Sequence, residues 1–180
     1  MIEFILHSSI RRFERLLGYD ASYMHEIVDA SRSAGLKYLL SQFVAQHRDG
    51  VSKDAWYSAK LAAALSEDCG PCTQLCVNLA LRDGVDAQKL AALLRGDLNA
   101  AGDEAAFGYR YGMAISTNSA AALELVEEAA KRYGNKGKVS LALVVATGRV
   151  YPALKRGLGH GAACIKVEVA SQSIAVQRVE

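Results

Sequence analysis

The chain has 180 residues, of which 51% are hydrophobic and 22% charged, enough apolar material for one well-buried core. Its 21 basic and 19 acidic side chains are spread along the sequence without a basic run, which argues against a nucleic-acid partner. No stretch supplies the ~18 uninterrupted apolar residues of a membrane span, and the N-terminal segment lacks the pattern of a secretory signal. The sequence therefore predicts a cytoplasmic protein that binds neither nucleic acid nor membrane.

Apolar residues recur at intervals of three and four along most of the chain, which is the spacing of amphipathic helices. The first such segment runs from Ile2 to Leu17 and stops at Gly18. Further helices are predicted near residues 21–31, 33–47, 52–67, 71–83, 86–95, 103–116, 119–133 and 137–155, most of them separated by glycines. Several are rich in alanine, the residue with the highest helix propensity. The predicted fold class is all-α.

The C-terminal arm, residues 164–180, departs from the helical pattern. Apolar residues occupy every second position over 165–169 and recur over 174–179 after a polar break, which favours strands or an extended arm. An isolated hairpin is only marginally stable in water, so we expect this arm to pair with or pack on another part of the structure, with a second subunit as the favoured cover. The prediction is a single domain over residues 1–180, with a helical core over about 50–161 and a homo-oligomeric state.

The tetrapeptide Cys69-Gly70-Pro71-Cys72 also occurs in thioredoxins, where it follows a strand and opens a helix. Here an alanine-rich helical segment precedes it, and the chain shows no alternation of strands and helices, so a thioredoxin fold is not expected. Pro71 disfavours helical geometry at Gly70 but suits the first turn of a new helix. Cys69 is therefore predicted at a helix start and Cys72 in its first turn, where free N–H groups and the helix dipole stabilise a thiolate.

Cys76 lies one helical turn beyond Cys72, and three thiols on one stripe allow three interpretations. The first is a redox pair, Cys69 and Cys72, with Cys76 as a deeper bystander that stays reduced. The second is metal or iron–sulfur ligation with Cys164 or a histidine as fourth ligand, although the usual second pair of ligands is missing. The third is that all three are small buried residues of a helical core. We favour the redox pair and predict no metal and no cofactor.

Carboxylates precede the cysteine pair at Glu67 and Asp68. A nearby carboxylate disfavours a thiolate, but it can also accept the thiol proton, so Glu67 is the third predicted catalytic residue. We expect Cys69 to be the more exposed cysteine and Cys72 to be better held by the helix, and the sequence does not decide which one attacks. His160, in a glycine-rich segment, is a weaker candidate for approaching the thiols.

Three segments, EDCGPCTQL, FGYRYGMAI and LALVVATGRVYPALKRGLGHG, resemble the alkylhydroperoxidase D and carboxymuconolactone decarboxylase superfamily over about residues 61–161. The resemblance implies a helical, oligomeric fold whose peroxidase members reduce hydroperoxides with a cysteine pair and regenerate it with a dithiol donor. Cys69 and Cys72 match that pair. The histidine and glutamate of the family's proton relay are replaced here by Cys76 and Tyr57, so the relay is not carried over.

Together these features predict a thiol-dependent oxidoreductase or peroxidase whose partners are a hydroperoxide substrate and a dithiol electron donor. The alternative comes from another class of protein, a non-enzymatic helical protein that binds a small ligand or a partner. The missing relay residues favour that alternative, and the intact cysteine pair favours the enzyme. Turnover of a hydroperoxide with a dithiol donor separates the two.

Overall fold

The computed structural model describes residues 2–162 and 166–177, so Cys164, Ile165 and Val179 lie outside the described residues. Within them the helices are α1 (Ile2–Leu17), α2 (Ser22–Ala30), α3 (Arg32–Ala45), α4 (Lys53–Ser66), α5 (Gly70–Arg82), α6 (Ala87–Leu94), α7 (Leu98–Ala101), α8 (Asp103–Thr117) and α9 (Ala122–Gly157). The strands β1 (Lys166–Val169) and β2 (Gln172–Ala175) pair antiparallel. The predicted all-α fold with a short extended C-terminal arm is confirmed. Across the described part of the chain, no helix combines the length and apolar character that a membrane crossing requires.

Capping side chains and one glycine set several helix boundaries where the sequence predicts them. Ser31 and Ser52 each accept a hydrogen bond from the backbone N–H three residues further on, which caps α3 and α4. Asp86 caps α6 in a similar way. Gly134 has a φ of 63° and interrupts α9 between its two predicted halves. The single-turn helix α7, capped by Asp97, is not predicted by the apolar spacing.

Helix α4 lies at the centre of the fold, with α8 and α9 packed against it. A methyl group at Gly108 of α8 would overlap the carbonyl oxygen of Ala55, and one at Gly112 would lie 2.6 Å from the carbonyl oxygen of Ala59. Small residues at such a contact let the two backbones approach closely. This packing fixes the position of α4, whose other side borders the candidate site.

The C-terminal hairpin is covered by its own chain. Val167, Val169 and Ile174 are buried in the same apolar cluster as residues of α5 and α6. The side chain of Gln74 in α5 accepts from the backbone N–H of Glu168 at 2.8 Å and donates to its carbonyl at 2.9 Å. The expectation that a second subunit covers this arm is therefore wrong for residues 166–177, and the homo-oligomeric state stays a prediction.

Candidate functional site

The cysteine pair lies at the turn between α4 and α5. Cys69 precedes α5 with an extended backbone, at φ −106° and ψ 95°, and Pro71 lies in the first turn of the helix. The carbonyl of Cys69 accepts from the backbone N–H of Thr73 at 2.9 Å, and the N–H of Gly70 donates to the carbonyl of Ala162 at 3.0 Å. The glycine and the proline thus begin α5 where the sequence predicts it.

Cys69 and Cys72 form a disulfide, with their Cα atoms 5.3 Å apart. This separation lies within the usual range for the bond, and the predicted pairing is confirmed. The two residues are both buried, at 4% and 6% exposed, so the disulfide form does not show the expected greater exposure of Cys69. Cys72, but not Cys69, is among the residues that line a cavity.

Cys76, one turn further along α5, is a buried free thiol. Burial raises the pKa of the Cys76 thiol to about 11, and the ammonium of Lys60 offsets this only in part. The sulfur lies 3.9 Å from the carbonyl oxygen of Lys60. Cys76 is therefore a neutral thiol near pH 7, which agrees with its predicted place as a bystander.

His160 and the proposed metal ligands are the other candidates that the sequence offers beside the cysteine pair. His160 lies with its Nε2 atom 2.7 Å from the carboxylate of Glu26, and its ring is tilted against that of Tyr23. Over residues 2–162 and 166–177, no group of three or more histidine, cysteine, aspartate or glutamate side chains is placed to hold a metal ion. Cys164, the fourth ligand of the metal interpretation, is outside the described residues.

Glu67 is the C-cap residue that follows α4, two residues before Cys69. Its carboxylate accepts hydrogen bonds from Arg149 at 2.8 Å and from Arg156 at 2.5 Å, both on α9. Burial by itself raises the pKa of the Glu67 carboxyl, but the two guanidinium groups outweigh burial and leave the pKa below its ordinary value. A lowered pKa makes the carboxylate a weaker proton acceptor, and its predicted role as a base stays a prediction.

A cavity of about 710 Å³ opens beside Cys72 and Cys76. Its walls come from α1, α2, α3, α4, α5 and α9, so they include N-terminal helices that lie outside the family resemblance. The rings in the wall are those of Phe13, Tyr19, Tyr23, Tyr38, Trp56, Tyr57 and Tyr151. Sites for small organic molecules typically have volumes of about 300–1,000 Å³. The cavity thus admits molecules much larger than hydrogen peroxide.

Lys60 of α4 lies in the wall of this cavity and is 8% exposed. Its Nζ atom lies 3.5 Å from the carbonyl oxygen of Ala45 and 4.9 Å from the centre of the Trp56 ring. Burial lowers the pKa of Lys60, and the neighbouring Cys76 acts in the opposite direction. Sequence reasoning missed this residue, although the signal was present: it is the single charged residue in the alanine-rich segment 55–66.

A second buried lysine, Lys155 of α9, is 4% exposed and enclosed by aromatic rings. Its Nζ atom donates to the hydroxyl of Tyr19 at 3.1 Å and lies 4.9 Å from the centre of the Tyr23 ring. Tyr23 in turn shares a hydroxyl hydrogen bond of 2.8 Å with Tyr38. Lys155 does not line the cavity, so the two buried lysines differ in what surrounds their ammonium groups.

Comparisons of the chain with protein-family models, with curated proteins and with solved structures give no match. The resemblance over about residues 61–161 therefore rests on the sequence segments alone. The geometry of the cysteine pair and of the cavity beside it is what bears on function.

Proposed function

We propose that this protein is a thiol-dependent oxidoreductase of the alkylhydroperoxidase D type, which reduces hydroperoxides through Cys69 and Cys72. The observation that carries the proposal is the disulfide at the start of α5, together with the position of Cys72 in the wall of a 710 Å³ cavity. Cys72 is the attacking residue in this proposal because it lines the cavity, and Cys69 is the resolving residue. The reaction belongs in the cytoplasm, where thiols are kept reduced.

The proposed cycle begins with the reduced pair. The thiolate of Cys72 attacks the outer oxygen of the hydroperoxide, an S–O bond forms as the O–O bond breaks, and the alkoxide takes a proton and leaves as the alcohol. The thiol of Cys69 then displaces water from the sulfenic acid, which forms the disulfide. A dithiol donor reduces that disulfide by two exchange steps and is itself oxidised. In total, two electrons pass from the donor to the peroxide.

Peroxide consumption tests this proposal. The protein is mixed with cumene hydroperoxide and dithiothreitol, and the remaining hydroperoxide is measured over time. We expect Cys69→Ser and Cys72→Ser to lower turnover by about a hundredfold or more, because each removes one sulfur of the cycle. Cys76→Ala is the matched thiol control and should keep turnover within about threefold. Turnover retained in Cys72→Ser, or no turnover with any dithiol, would contradict the proposal.

The cavity itself favours a second candidate function, which is the binding of a small molecule without turnover. The cavity extends from Cys72 to the N-terminal helices α1, α2 and α3, well beyond the space that a peroxide group needs. A protein of this kind would bind its ligand equally well with either cysteine replaced. Ligand affinity measured in Cys69→Ser and Cys72→Ser, beside their turnover, therefore separates the two functions.

A further inference from the structure

The cavity beside Cys72 holds a buried lysine amine, that of Lys60, which makes few polar contacts. The Nζ atom of Lys60 can donate three hydrogen bonds. Its contact with the Ala45 carbonyl, at 3.5 Å, is at the outer limit for such a bond, and the face of Trp56 is the other contact. A buried ammonium costs several kcal/mol unless an anion pairs with it. An anion arriving from outside would supply that partner.

The groups around Lys60 do not supply a negative charge near pH 7. Burial raises the pKa of Cys76 to about 11 and that of Tyr57 to about 12, so both are neutral. Asp83, a carboxylate in the cavity wall, lies 2.6 Å from the guanidinium of Arg48, with which it forms an ion pair. The described residues thus leave the charge of Lys60 without a paired anion.

The rest of the wall is largely aromatic, although it also carries the polar side chains of Gln42, Gln46, Arg48, Arg82 and Asp83. Seven aromatic rings line the cavity, and its volume is about 710 Å³. Tyr151 adds a buried hydroxyl that has no hydrogen-bond partner within bonding distance among the described residues. Small-molecule sites usually combine a mainly apolar wall with a small number of placed polar groups.

We propose that this cavity binds an organic monocarboxylate, with its carboxylate paired to the ammonium of Lys60 and its hydrocarbon body against the aromatic wall. The binding requires no redox cycle. Because Cys72 lines the same cavity, a hydroperoxide that carries a carboxylate is the substrate class that the site selects. That last step rests on the proposed function, whereas the binding step does not.

The wild-type protein provides the first test, by isothermal titration calorimetry with octanoate, 1-octanol and octylammonium. These three probes share one hydrocarbon chain and differ in charge. Octanoate should bind one molecule per chain and about tenfold or more tightly than 1-octanol, and octylammonium should bind more weakly than either. Octanoate that does not bind, or octylammonium that binds as tightly as octanoate, overturns the proposal.

Two lysine variants provide the second test. Lys60→Met keeps the length of the side chain and removes its charge, and replacement of a buried ion by an apolar residue is often neutral or stabilising. Octanoate affinity should fall about thirtyfold or more, the equivalent of about 2 kcal/mol, while the affinity for 1-octanol stays the same. Lys155→Met is the comparison variant, because Lys155 is also buried but reaches the cavity only through the rings of Tyr19 and Tyr23, and its octanoate affinity should stay within about threefold of the wild type.

Unchanged octanoate affinity in Lys60→Met, or an equal loss in both lysine variants, overturns the proposal. Circular dichroism establishes that each variant is folded, and the wild-type series decides by itself where one is not. The outcome is independent of the proposed function. Octanoate binding through Lys60 without peroxide turnover would overturn only the enzyme, and turnover of cumene hydroperoxide without octanoate binding would overturn only the carboxylate site.

Discussion

Helix α4 is tightly packed on one side and borders a cavity on the other, although both sides carry small residues. Toward α8, the backbone at Ala55 and Ala59 lies so close to Gly108 and Gly112 that an added methyl group has no room. Toward α5 and the N-terminal helices, the same helix borders a cavity of about 710 Å³. The difference comes from the facing residues, because glycines allow close approach of two helices, whereas the large rings on the other side leave space between them.

The packed side of α4, at Ala55 and Ala59, faces α8, and the open side, at Lys60 and Ala64, faces the cavity. Packing on the first side fixes where the residues of the second side lie. The C-cap of the same helix lies just before Cys69, so the position of the helix also sets where the cysteine pair lies. A site on a rigid element keeps its geometry better than one on a loop. We therefore expect changes on the packed side to affect folding and changes on the open side to affect chemistry and binding.

The largest expected effect is on the packed side. Gly108→Ala should lower the free energy of unfolding by about 3 kcal/mol or more, because the new methyl group overlaps the backbone of Ala55, which cannot move without shifting α4. Gly157→Ala at the end of α9 is the control, since nothing lies near its added methyl group, and it should change stability by less than about 1 kcal/mol. Urea unfolding followed by circular dichroism measures both. Equal midpoints would show that α8 does not pack on α4 as described.

The next effect concerns the thiol on the open side. With its pKa raised to about 11 by burial, Cys76 should react with iodoacetamide at pH 8 about a hundredfold more slowly than an ordinary thiol of pKa about 8.5. The rate should rise with pH as the thiolate forms. Peptide mass mapping of the folded protein measures it, and the same reaction in denaturant is the control. Labelling of Cys76 at the same rate in both conditions would mean that its thiol is not buried.

A matched pair of substitutions compares the two sides directly. Ala62→Leu enlarges a buried side chain whose Cβ lies beside Gly112 of α8, and it should cost about 2 kcal/mol of stability. Ala64→Leu places the same side chain toward the cavity and should cost less than about 1 kcal/mol, because the added atoms fill existing space. Thermal unfolding of both variants gives the difference. A reversed order would mean that the free space lies on the other side of α4.

The fold was predictable from the sequence where the signal is local. Apolar spacing and glycines predict α1 from Ile2 to Leu17 and the break of α9 at Gly134, and both are present. Helix α7 has a single turn, too short to show a period. The alternation over the C-terminal arm predicts strands but not their cover, because Gln74 and the arm come together only in the folded chain.

The candidate site was likewise predictable from the sequence only where it depends on residues that are close together in the chain. Cys69 and Cys72 are three residues apart at a helix start, so their pairing follows from local geometry alone. The cavity is lined by rings from distant parts of the chain, such as Tyr19 and Tyr151. The spacing of residues along the sequence does not predict that these rings lie close together in the fold. Lys60 was missed for this reason, because a lysine on a helix is usually exposed and only the surrounding helices bury it.

The smallest expected effect is at Glu67, where α4 ends. Burial raises the pKa of the Glu67 carboxyl, but Arg156 and Arg149 outweigh burial and leave the pKa lowered in the folded protein. The ionised carboxylate therefore stabilises the folded protein above the ordinary glutamate pKa of about 4.3, and this stabilisation is lost as the pH falls through the lowered pKa. Glu67→Gln should therefore cost about 1 kcal/mol at pH 7, and the gap to the wild type should close in acid. Glu127→Gln, at an exposed position, is the control and should change stability at pH 7 by less than about 0.5 kcal/mol. Peroxide turnover of the folded Glu67→Gln protein tests the predicted proton-acceptor role. A fall of about a hundredfold or more supports that role. Unchanged turnover would mean that Glu67 acts only as the contact that holds the α4–α5 turn against α9.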